Sequence, residues 1–125
     1  MISKLSTTWC QVNDMSRSIA FYKDALGLQS IMESPHWTMF RVGDQAIALH
    51  HRLEPGEGPL GENGKGWYLG LQTDNLAPFR QSVVENGGTA FGYHEVPGGV
   101  VLTVCDPDGN PIQIMQPNAT IGELG

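Results

Sequence analysis

The chain runs through the same order of elements twice, on either side of HRLEPGEGPLGENGKG, residues His51–Gly66. Five glycines, two prolines and three glutamates in that stretch sustain neither a helix nor a central strand, so it reads as a linker. Before it, KLSTTWCQV alternates as a strand and DMSRSIAFYKDALGL follows as a helix. SIME, HWTMFRV and AIALHH then read as three short strands. After it, GWYLGLQT, DNLAPFRQSVVENGG, TAFGYHEV, GVVLTVC and PIQIMQ repeat strand, helix, strand, strand, strand. A βαβββ unit of about 50 residues is too small to cover both faces of its own sheet. Two such units must therefore bury apolar surface together. The expected division is a first module over about residues 3–51, a linker at 52–65 and a second module at about 66–117. That is a single α+β domain with a curved, mostly antiparallel sheet, helices on one face and a concave cavity on the other.

Local signals support each helix. Ile19, Tyr22 and Leu26 recur at helical spacing in the first, with Asp14 or Ser16 placed to cap it and Gly27 to end it. In the second, Leu76, Phe79 and Val83 form the stripe, Asp74 or Asn75 is the expected cap, and Gly87–Gly88 the stop. Leu69 with Leu71, Ile47 with Leu49, and Ile112 with Ile114 give each strand an apolar face for the helices.

Charge narrows the partners. The formal net charge is −6 with seven Lys and Arg, a poor surface for nucleic acid or anionic membrane. No apolar run approaches the roughly 20 residues of a membrane span. MISKLSTTWCQV has no apolar stretch behind a basic start. A cytoplasmic protein is expected, with Cys10 and Cys105 as unpaired, buried thiols.

VNDMSRSIAFYKDALGL and DPDGNPIQIMQP, in this order and about 90 residues apart, resemble the vicinal oxygen chelate superfamily. It is also called the glyoxalase/bleomycin resistance/dioxygenase family. The similarity spans roughly Leu5 to Pro117. It implies the paired βαβββ fold, and functions ranging from isomerases, epimerases, thiol transferases and ring-cleaving dioxygenases to metal-free antibiotic-binding proteins. In metal-dependent members the ligands lie on inward positions of four strands. By that resemblance the positions fall on Thr7, Ala48, Tyr68 and Gln113. A catalytic divalent site needs about three ligands from His, Cys, Asp or Glu. Alanine offers no donor, and threonine, neutral tyrosine and glutamine offer no charge. The expectation is no metal and no cofactor, with Gln113 a hydrogen-bonding group at a vacated metal position.

The remaining inward positions describe a lining. Thr7 and Trp9 share one strand face, as do Ala48 and His50, Tyr68 with Gly70 and Gln72, and Gln113 with Met115. The set is aromatic, mildly polar and uncharged. Thr7, Trp9, Ala48, His50, Tyr68, Gln113 and Met115 are the expected ligand-binding residues, with no catalytic residue assigned. Trp37, Phe40 and Trp67 have no readable parity and are assigned to packing or the cavity wall. The reading is a homodimeric, metal-free protein that binds a small molecule and sequesters a planar or cationic compound, such as an antibiotic. Its rivals are a glyoxalase-like lyase or dioxygenase with a metal site rebuilt from His36, His50, His51 or His94, a metal-free acid–base enzyme using His50 or His94, and a structural or regulatory dimer with a filled cavity. Adjacent residues on a strand face apart, which separates His50 from His51 and His94 from Glu95.

Overall fold

The computed structural model describes residues 1, 8–51 and 69–124. In the first module, β1 (Thr8–Val12) leads into α1 (Met15–Ala20), which continues as a π-helical segment over Phe21–Ala25. Strands β2 (Gln29–Met32), β3 (Trp37–Val42) and β4 (Gln45–His51) follow. The second module repeats this with β5 (Leu69–Gln72), α2 (Phe79–Glu85), β6 (Thr89–Val96), β7 (Gly99–Cys105) and β8 (Pro111–Pro117), then a short α3 (Ile121–Leu124). Strand β4 runs to His51, and the linker at 52–65 with the expected start of the second module lies outside the described residues. No helix among those described is long and apolar enough to cross a membrane.

The α+β duplication takes the form of two open four-stranded sheets, ordered β1-β4-β3-β2 and β5-β8-β7-β6. In each, the first strand pairs parallel to the last and the other pairs are antiparallel. Register follows the apolar alternation. Leu71, Ile114, Leu102 and Tyr93 lie in one row on the helix side, while Gln72, Met115, Val101 and His94 lie on the other.

Helix α1 begins as its sequence suggests: of the two capping candidates it is Asp14 that accepts from the Arg17 backbone N–H at 3.1 Å. Gly27, at φ +71°, turns the chain out of the π-helical segment. Helix α2 departs from expectation. It starts only at Phe79, not at Asp74 or Asn75, and no side chain caps it. Pro78 explains the late start, because a proline ring disfavours helical backbone in the residue before it. The freed donors are taken elsewhere, Asn75 N–H by the Thr73 hydroxyl at 3.2 Å and Leu76 N–H by the Gln116 side chain at 2.7 Å. Leu76 still reaches the core, fully buried.

One core serves both modules. Phe21, Tyr22, Phe40 and Leu49 from the first pack in the same cluster as Leu76, Leu102, Val104 and Ile112 from the second. Tyr22 stacks on Phe40 at 5.6 Å and carries its hydroxyl across to the second module. There the DPDGN turn receives it. Asp106 Oδ2 accepts from the Tyr22 hydroxyl and from Asn110 Nδ2, each at 2.8 Å. Asp106 Oδ1 accepts the backbone N–H groups of Asp108 at 2.9 Å and Asn110 at 2.8 Å. Asp108 reaches back, accepting from Asn13, Arg17 and Ser18 around the start of α1.

Burial raises the Asp106 carboxyl above its ordinary range, and the donors from Asn110 and Tyr22 pull against that shift. Because all four of these partners donate, Asp106→Asn turns an NH₂ group towards donors. It should destabilise the fold by about 2–4 kcal/mol in urea unfolding. A carboxyl with a raised folded-state pKa contributes stability that is present at low pH and lost as pH rises through that pKa. The stability gap between wild type and Asp106→Asn should therefore widen as the pH falls from neutral through the raised folded-state pKa towards the ordinary aspartate range. A gap that narrows would mean that Asp106 is not held above its unfolded value.

Candidate functional site

The faces turned away from the helices carry the site candidates. On the first sheet two rows cross the strands: Met39, Ala48 and Trp9, then Trp37, His50 and Gln11. The three rings of Trp9, Trp37 and His50 meet at its centre. Their centroids lie 6.1 Å apart for the two indoles, 5.5 Å for Trp9 and His50, and 5.7 Å for Trp37 and His50. Interplanar angles of 59°, 42° and 81° make this a tilted corner rather than a stack. Trp9 remains 40% exposed, so the corner is open to a guest. Ala48, fully buried beneath it, offers the rings a floor with no bulk.

The second sheet is different in kind. Gly70, Leu71, Gln72, Val101, Gln113 and Met115 line a pocket of about 340 Å³. Gln113 lies beside Gly70, whose missing side chain leaves open space above the strand. The polar groups here are two neutral amides. Thr103 adjoins Gln113, and His94 lies at the end of the Met115 and Val101 row.

Of the seven sequence candidates, Trp9, Ala48 and His50 thus share the first face, and Gln113 and Met115 share the second. Among the described residues no hydrogen bond or ring contact links the two groups. Thr7 and Tyr68 lie outside the described residues, as does Trp67. Trp37 belongs to the aromatic corner, a place the sequence could not assign because HWTMFRV is apolar on both strand faces. Phe40, equally ambiguous in sequence, is core. Gln11, Met39 and Val101 were also missed, and only a strand register reveals them.

The histidines do not converge. His51 faces the opposite way from His50 and lines a cleft with Asp14 and Glu33. Glu95 turns from His94 and accepts from the Ile121 N–H at 3.1 Å. The described neighbours of the His50 ring are two indoles and the His51 carbonyl, and no carboxylate orients it. Burial pushes the thiols of Cys10 and Cys105 up, and neighbouring Asp106 raises both further. Cys10 is buried and Cys105 half-buried, and a thiol raised in this way is a poorer nucleophile than a free one.

Of the four positions that the resemblance assigns to the superfamily's metal, the two among the described residues do not fit a divalent ion. Ala48 has no ligating atom and Gln113 brings no charge to offset a divalent ion. Among the described residues, no group of three or more His, Cys, Asp or Glu is placed to hold a metal ion.

Comparison with known proteins agrees with the architecture. The profile of the Glyoxalase/Bleomycin resistance protein/Dioxygenase superfamily matches residues 4–114. A lactoylglutathione lyase of Salmonella typhimurium is 29% identical over 126 aligned positions, covering 90% of this chain and 92% of that protein. A glyoxalase-related enzyme from Fulvimarina pelagi superposes with a TM-score of 0.78 at 19% identity, over 92% of this chain and 88% of that one. A bleomycin resistance determinant encoded on the transposon Tn5 superposes with a TM-score of 0.63 at 22% identity, over 93% and 99%.

Calorimetric titration with Zn²⁺, Ni²⁺, Mn²⁺ and Fe²⁺ should detect no tight stoichiometric site. One equivalent bound per chain, and lost in His50→Ala, would show that the histidines assemble a centre after all.

Proposed function

Because the chain belongs to the glyoxalase/bleomycin resistance protein/dioxygenase superfamily, we propose that it is one of the metal-free binding members, holding a planar or cationic small molecule. The observation that carries this reading is the open corner of Trp9, Trp37 and His50. It lies on the face where the superfamily's metal-dependent members place ligands, over an alanine that binds no ion. Aromatic contact contributes about 0.5–1.5 kcal/mol beyond area burial, and a cation over an indole a comparable amount. The net charge of −6 adds a salt-sensitive attraction for cations. The neutral lining gives an acidic guest no fixed positive partner apart from Arg41, which lies on this face at the strand's exposed end.

The protein works as a homodimer in this reading. Each sheet leaves one face open, and a two-fold partner covers such faces and edges. The amide-lined face of one copy then supplies hydrogen bonds to a guest held by the aromatic corner of the other. Sequestration needs no more than this. The competing reading, a lyase with displaced metal ligands, draws on the lactoylglutathione lyase relative and meets its difficulty at Ala48 and Gln113.

Ethidium should bind saturably in calorimetry, more weakly at high salt, with Trp9→Ala reducing affinity roughly 2–10-fold. Tighter binding of S-hexylglutathione, unaffected by Trp9→Ala, would overturn the proposal. Sedimentation equilibrium should return twice the 13.6 kDa chain mass. A monomer at micromolar concentration would remove the dimeric part of the reading.

A further inference from the structure

A second cavity lies on the opposite side of β5, between the modules. Leu26, Leu28 and Val42 of the first module and Leu71, Phe79 and Ile114 of the second enclose about 190 Å³. Two local decisions leave it unfilled. Gly27 turns the chain away at the end of the π-helical segment, and α2 starts late, with only a single turn from Leu76 to Phe79 ahead of it. Among the described residues the polar ones at the rim are Gln72 and Thr73. Thr73 is committed, its N–H to the Met115 carbonyl at 2.9 Å and its hydroxyl to the backbone of Asn75. Gln72 turns its side chain to the other face of the sheet and borders this cavity from the strand end.

From this we propose that the cavity is a second ligand site, for a compact uncharged ring bearing one hydrogen-bonding substituent, with phenol as the simplest example. Size, polarity and charge all select that class. An apolar cavity of roughly 150 Å³ lined by Leu, Ile and Phe stays dry and takes benzene, so this one holds a six-membered ring with a small substituent. Among the described residues no charged side chain lines it, so an ion entering would lose its water without compensation. A neutral hydroxyl or amino group meets the polar edge that Gln72 and Thr73 form at the rim instead. Leu71 and Gln72 also line the pocket on the other face of the sheet, so β5 is a wall shared by the two cavities. The site does not depend on what the aromatic corner binds.

Titration of ¹⁵N-labelled protein with phenol, followed by amide NMR, tests this directly. Saturable shifts should fall on Leu28, Leu71, Thr73 and Phe79, with a dissociation constant in the millimolar range. Val42→Phe, which fills the cavity, should abolish them while leaving ethidium binding unchanged. Leu28→Ala, which enlarges it, should shift the preference from phenol to 2-naphthol and shows the effect even if Val42→Phe fails to fold. Absence of saturable shifts in the wild type overturns the proposal. So do shifts confined to Trp9, Trp37 and His50, or shifts that persist in a folded Val42→Phe variant.

Discussion

Everything in this fold depends on one hydrogen-bonded crossing between the modules, in which Tyr22 donates to Asp106. Tyr22 belongs to the first module's helical segment, is completely buried, and stacks on Phe40 beneath it. Asp106 belongs to the second module's last turn and is itself buried. A carboxylate in that position is tolerable only when its oxygens are satisfied by donors, and the DPDGN turn supplies three of them from its own residues. The crossing therefore ties the geometry of a turn to the position of a helix 84 residues away. It sets how the two apolar sheet faces meet, and so which faces are left over for ligands.

The parts legible in sequence were those written in short periods. Alternation in KLSTTWCQV, AIALHH and PIQIMQ identified which side of each strand would be buried, because a half-buried strand cannot exchange its faces without exposing a whole row. The cap at Asp14 and the turn at Gly27 were readable for a similar reason, being set by one residue's chemistry. Helix α2 was misjudged because its Leu76 keeps the spacing of the apolar stripe although it precedes the helix. The Pro78 signal was present and outweighed by periodicity. What the sequence could not show was convergence. The meeting of Trp37 with Trp9 and His50 depends on pairing between β1, β4 and β3, and HWTMFRV carries apolar residues on both faces, leaving its parity undecided.

The two modules have diverged in chemistry while keeping a common plan. At matched strands, one sheet presents two indoles, a histidine, a methionine and one amide, and the other presents two amides, a threonine and a glycine beside Met115, Val101 and His94. The first suits flat surfaces and positive charge, the second suits hydrogen-bonding edges. Among the described residues, neither face gathers the carboxylates or imidazoles of a metal centre.

Side chains along β1, β4 and β8 point alternately to the core and to the open face, where Ala48 is covered by the rings above it. Neighbouring codons therefore answer to different selection. A change at Cys10, Leu49 or Ile114 is felt first as lost abundance, because it reaches the shared interior. A change at Trp9, His50 or Met115 leaves that interior intact and alters only what the face can hold. Such a sheet can be retuned to new guests many times over with its folding left alone, which is a physical basis for one fold serving so many unlike chemistries.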